Sequence, residues 1–181
     1  MNLAYRPKSV AKEDHVFDKA QADIAIRLLR KMRYATGLNG EEPDTATLAA
    51  WIGDVGSLAT ASDRYEVAMV LVGDVLGRVR GRDGQPYPHG AIVAALEKSA
   101  GDEMLRGFRT SVFNERGVTW RGHGGQQEYE LAAKYEAISR DLRDSAPRTS
   151  EMFGDLARGY RIDGAREDER ERRIEDGIDI W

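Results

Sequence analysis

Apolar residues in this chain recur three and four positions apart in stretch after stretch, and nowhere do they alternate with polar residues over a length that would make a strand. A helix turns once every ~3.6 residues, so this spacing gathers the apolar groups on one face and points to helices rather than strands. The first such stretch runs from about Asp14 to Ala35, with Phe17, Ala20, Ile24, Leu28, Met32 and Ala35 in one stripe and Arg27, Arg30, Lys31 and Arg33 on the other side. Gly37 supplies a stop, because glycine accepts the left-handed conformation that ends many helices.

Six further stretches follow. Asp44 or Thr45 caps a helix with the stripe Leu48, Trp51/Ile52, Val55 and Leu58, in which Gly53 and Gly56 offer a close approach to a neighbour. Asp63 with Glu66 resembles a capping box for the next helix. That helix carries Val67, Ala68, Val70, Leu71, Val72, Val75 and Leu76, apolar almost all round, so it is expected at the centre of the fold, with Leu71 in the core. Asp74 within it is placed one turn before Arg78 and is expected to face out or to pair with it. Pro88 suits the first turn of a helix burying Ile92, Val93 and Leu96, with Ala95 a further candidate, and Gly101–Asp102 restarts the chain for Met104, Leu105, Phe108, Val112 and Phe113. Leu131, Ala132, Tyr135, Ile138 and Leu142 mark a sixth helix, with either Tyr129 or Tyr135 the inward tyrosine. Met152, Phe153, Leu156 and Tyr160 mark a seventh, capped by Thr149 or Ser150.

The expected fold is therefore all-α, a compact bundle of six or seven helices with short connections and one longer polar loop. Residues 1–13 read as an N-terminal arm, 14–164 as the helical domain, and 165–181 as a charged helix extension with an apolar end. In that extension Asp168 with Arg172, and Glu169 with Arg173, have the spacing of helical ion pairs. Ile174, Ile178, Ile180 and Trp181 are apolar groups suited to folding back or to docking on a partner.

Composition removes several classes of function. With no cysteine, thiol nucleophiles, zinc–thiolate sites and iron–sulfur clusters are excluded, and three scattered histidines do not make a metal site. A net charge of −4 disfavours a non-specific nucleic-acid or membrane-surface binder. No signal-peptide-like run and no transmembrane-length apolar run occurs, so the expected location is the cytoplasm. No nucleotide-binding fingerprint is present, and the expectation is no cofactor and no metal.

The candidate site is the longest stretch that does not read as helix, residues 113–130. It combines Asn114, Arg116, Trp120, Arg121 and His123 with a helix start at Gln126 and Gln127. Arginine forks suit carboxylates or phosphates, Trp120 offers a flat apolar face, and the amides after Gly124 and Gly125 could meet an anion. The plainer reading has Val118 and Trp120 tucked beneath the loop as its anchor. Trp181 joins the candidate binding residues through the apolar C-terminal end. Glu128 and Glu130 read as a solvated face, and no catalytic residue is assigned.

Two resemblances attach to these residues. Arg116 and His123, like Arg82 and His89, are separated by six residues. This is similar to the arginine–histidine pairs of HEPN-class helical ribonucleases, where charge and general acid–base chemistry act around the scissile phosphate. Here both pairs lie in glycine- or proline-rich loops, whereas that class carries its pair at a helix start. Separately, GVTWRGHGGQQEYELAAKY followed by APRTSEMFGDLARGY, after Trp51–Ile52 and Asp63–Arg64, resembles the helical C-terminal portion of large bacterial proteins. That resemblance spans roughly 46–164. It implies a helical unit accompanying larger assemblies, in bacterial defence or mobile-element neighbourhoods, and brings no chemistry with it. The function expected is a non-catalytic interaction module or adaptor subunit with a protein partner or a second copy of itself. The alternative is a nucleic-acid-processing protein using Arg116 and His123.

Overall fold

The computed structural model describes residues 9, 20, 24, 27, 31–32, 35–38, 44–79, 87–114 and 124–176. Among them the fold is all-α, with six continuous helices and no strand. The helices gather into two units, Met1–Glu115 and Arg116–Trp181. In the first unit the helices are α1 (Thr45–Ala61), α2 (Tyr65–Arg78), α3 (Gly90–Lys98) and α4 (Glu103–Asn114). In the second they are α5 (Gln126–Leu142) and α6 (Pro147–Glu175). The helix expected over 14–35 falls mostly outside the described residues; Ala20, Ile24, Arg27 and Lys31 are helical there. Ile24, placed by spacing on the inner stripe, is exposed, while Ala35 is buried.

Helix α1 starts at Asp44, whose carboxylate accepts the Thr47 amide at 2.9 Å and also the Thr47 hydroxyl. These bonds, the hydroxyl's first, hold the Asp44 carboxyl below its ordinary range. The helix ends in a paired closure: the Arg64 amide reaches the Ala59 carbonyl at 2.8 Å and the Asp63 amide reaches that of Thr60 at 3.0 Å. This is the Schellman geometry, with Asp63 at φ 52° in the position usually taken by glycine. The expected capping box is therefore not formed. Asp63 is consumed in stopping α1, its carboxylate accepts the Ser9 amide, and α2 begins at Arg64 with no side-chain cap.

Helix α2 is the core of the first unit and packs chiefly on α4. Ala68, Met69, Val72, Val75 and Leu76 are buried, while Val67, Val70 and Leu71 are only half-buried, so the expected central helix buries one face and Leu71 lies at its edge. Glycine sets how closely α2 and α4 pack. A Cβ at Gly73 would overlap the Met104 carbonyl oxygen and stand 2.8 Å from the Phe108 amide nitrogen. One at Gly107 would overlap the Val70 carbonyl. One at Gly77 would sit 2.9 Å from Ser111 Oγ. The two backbones are thus in direct contact. This is the close approach that sequence reading assigned to Gly53 and Gly56; Gly53 has open space where its Cβ would be, and a Cβ at Gly56 would make ordinary contact with the Tyr65 ring at 3.4 Å and Met69 Cε at 3.9 Å. Asp74 pairs with Arg78 at 2.8 Å, as the spacing suggests, with both side chains partly buried.

Along α1, Leu48 and Ala59 turn inward, while Leu58 is 73% exposed. Helix α3 buries Ile92, Val93 and Leu96. Its N-cap is His89, whose Nδ1 accepts the Ala91 amide at 3.1 Å, so Pro88 precedes the cap and does not sit in the first turn. In α4, Met104, Phe108 and Val112 are buried and Phe113 faces solvent.

The second unit is a helical hairpin. Tyr135 of α5 lies between Phe153 and Tyr160 of α6, with ring centroids 5.8 and 5.6 Å apart and planes 19° from parallel in each pair. Tyr135 is therefore the inward tyrosine, and Tyr129 is 40% exposed. One turn nearer the connection two serines clip the helices together. Ser139 Oγ donates to the Ser150 carbonyl at 2.8 Å, and Ser150 Oγ donates to the Ser139 carbonyl at 2.7 Å. Neither Thr149 nor Ser150 caps α6. The helix opens with Pro147 at its first position, where a missing N–H costs nothing, and both hydroxyl residues are buried.

Candidate functional site

Of the residues singled out in the 113–130 stretch, Arg116, Trp120, Arg121 and His123 lie outside the described residues, as does Trp181. Asn114 is the exposed last residue of α4 and belongs to the first unit. Gln126 and Gln127 open α5 in the second; Gln126 is exposed and its Nε2 donates to Glu130 Oε1 at 3.2 Å, one turn on. Glu128, expected on a solvated face, is 2% exposed and packs beside Gly164, 3.2 Å from the point where a Cβ on that glycine would lie.

The start of α5 is closed by the chain itself. Gly124 takes φ +64°, and a Cβ at Gly125 would overlap the Gly164 carbonyl oxygen, so these glycines let the strand of backbone entering α5 lie directly on α6. Asp168 of α6 then accepts the Gly125 amide with Oδ1 at 2.7 Å and the Tyr129 hydroxyl with Oδ2 at 2.8 Å. The Gly125 bond is the larger cause, and the Tyr129 bond the next, that hold the Asp168 carboxyl below its ordinary range. The same contact raises the Tyr129 phenol, chiefly because ionising it would break its bond to Asp168. An external anion at the Gly125 amide would have to displace this carboxylate. Arg172 turns instead to Glu169 at 2.9 Å, which also pairs with Arg173 at 3.1 Å. Asp168 escaped sequence reading because its helical spacing to Arg172 offered a local partner. The available signal was a helix start at two glycines with no capping side chain of its own.

Beyond Asp168, residues 169–175 of α6 continue past the first turn of α5. At ~1.5 Å per residue, α6 is about 43 Å long against about 25 Å for α5. Its outer surface carries Ile162 and Ile174, 54% and 61% exposed, among the ion pairs of Asp163, Arg166, Glu169, Arg172 and Arg173.

The first unit holds an open apolar groove of about 820 Å³. One wall is a continuous face of α1, the other is the alanine face of α3, and Met69 and Met104 lie at its base. Sequence reading missed it because its walls are alanine and glycine, which do not stand out in an apolar stripe.

Of the histidines, His89 uses Nδ1 as a helix cap, and its sequence partner Arg82 lies outside the described residues. Among the described residues no group of three or more histidine, aspartate or glutamate side chains is arranged to hold a metal, and no helix is long and apolar enough to cross a membrane. No protein-family profile, curated protein or solved structure matches this chain.

Proposed function

We propose that the chain is a non-catalytic helical interaction module, an adaptor that docks on a protein partner through the exposed surface of the C-terminal half of α6. The observation that supports this reading is the mismatch in the second unit. Its long helix outruns the short one and carries two isolated exposed isoleucines, Ile162 before Asp168 and Ile174 beyond it, on a surface rich in ion pairs. Exposed ion pairs add little to folding, about 0–1 kcal/mol each, so a helix end built from them gains little stability from its own contacts. A partner helix could cover the isoleucines and exchange ion pairs with the arginines, much as charged flanks select partners around an apolar seam.

The test is recovery of partners with the tagged full-length chain, wild type against the double variant Ile162→Glu, Ile174→Glu. Both positions are exposed, so helicity and melting should be unchanged. Loss of a stoichiometric protein from the double variant supports the module. The same proteins at the same yield on both baits would rule out α6 as the docking surface.

A further inference from the structure

The groove of the first unit has a chemistry of its own, separate from the α6 surface. Its α1 wall, from Ala49 through Ile52 and Gly53 to Gly56, presents small and aliphatic groups. Ala91, Ala94 and Ala95 of α3 face it. Hydroxyls also reach the lining, but three of them are turned away from any guest. Ser57 Oγ donates to the Gly53 carbonyl at 2.9 Å, Thr60 Oγ1 to the Gly56 carbonyl at 2.9 Å, and Ser99 Oγ to the Leu96 carbonyl at 2.7 Å. The hydroxyls of Thr45 and Tyr65 remain for a guest, and charge sets one further group apart. Lys98, the last residue of α3, is the one charged side chain among the described lining residues. It is exposed and forms no ion pair with any described residue.

A volume of about 820 Å³ lies within the range of small-molecule sites, which are apolar with a few polar groups that fix orientation. Here the one charged orienting group is a cation at the rim. From this complementarity we infer that the groove binds an aliphatic amphiphile with one acidic head, a medium- or long-chain carboxylate, with its tail along the alanine walls and its carboxylate on the Lys98 ammonium. The tail is recognised by burial alone, so chain length should set affinity smoothly. The head is recognised by charge, so its sign should matter sharply.

The experiment is isothermal titration of the full chain with dodecanoate below its micellar concentration, alongside dodecyltrimethylammonium, which has the same tail and the opposite charge. Saturable one-to-one binding of dodecanoate is expected, with the cation about fivefold weaker, the upper value for one exposed ion pair. Lys98→Met should weaken dodecanoate by a similar factor and remove the preference for the acid. Gly53→Phe fills the groove from a position where a Cβ meets nothing within 4 Å, and should abolish binding with the circular dichroism and melting of the folded chain retained. No binding of dodecanoate, equal binding of both surfactants, or an unchanged affinity in Lys98→Met would each overturn the assignment. Loss of a co-purifying protein from Gly53→Phe, with no dodecanoate bound by the wild type, would give the groove to a partner helix instead.

Discussion

Replacing Gly73 by alanine tests the contact on which the first unit is built. The added methyl would occupy the same space as the Met104 carbonyl oxygen and stand 2.8 Å from the Phe108 amide nitrogen, and both obstacles are backbone. No rotamer change can relieve it, so α2 and α4 must move apart, loosening the layer that includes Val72, Leu76, Met104 and Phe108. Overpacking of this kind costs about 1–3 kcal/mol, and the better helix propensity of alanine returns up to about 1 kcal/mol. The net expectation is a loss of about 1–2 kcal/mol in a urea melt. Gly107→Ala creates the reciprocal clash with the Val70 carbonyl. One separation of the helices relieves both, so the double variant should lose less than the sum of the single losses. Gly53→Ala is the internal control: it sits mid-helix, exposed, with nothing within 4 Å of the new methyl, and should gain about 0.5–1 kcal/mol. If Gly73→Ala stabilises the chain as Gly53→Ala does, the backbone contact between α2 and α4 does not exist as described.

Two further perturbations check the rest of the fold. Leu76→Ala removes a fully buried side chain and should cost about 2–5 kcal/mol by denaturant melt, whereas Leu71→Ala, half-buried on the same helix, should cost clearly less; equal losses would misplace the core register. Asp168 has its carboxyl lowered in the folded chain, so its contribution is present above the ordinary carboxylate range and is lost as pH falls through the lowered folded value. Tyr129 is raised, so its share is present below its ordinary phenol range and is lost as pH rises through the raised value. Asp168→Asn should therefore flatten part of the acid limb of a pH–stability profile and let Tyr129 titrate nearer its ordinary range by ultraviolet absorbance. Asp44→Asn should flatten another part of that limb and leave Tyr129 unmoved. An unchanged tyrosine titration in Asp168→Asn would show that the two side chains do not share a proton bond.

What the sequence discloses about this fold is what depends on neighbours along the chain. The helical class follows from apolar spacing, and so do the buried faces of α3 and α6. Asp44 as a cap and Asp74 with Arg78 also follow, because both partners lie within one turn. What it conceals depends on distant partners. Gly73, Gly77 and Gly107 resemble helix-weakening residues until α4 is laid across α2. Asp63 and Glu66 have the residue types of a capping box, yet the end of α1 claims Asp63 first. Asp168 looked like half of a local ion pair because Gly125 and Tyr129 are 43 and 39 positions away. Within the candidate loop, the described part reduces to the ends: Asn114 at the close of α4, and a helix start at Gly125 whose amide is already bonded to Asp168.

The interaction-module reading is tested most directly by native mass spectrometry of the tagged chain purified from the cells that make it, wild type beside Ile162→Glu, Ile174→Glu. The account predicts a complex of fixed stoichiometry with a protein, or with a second copy of the chain, that the double variant no longer forms. A chain that carries RNA and no protein, and cleaves that RNA only while His123 is intact, would contradict it.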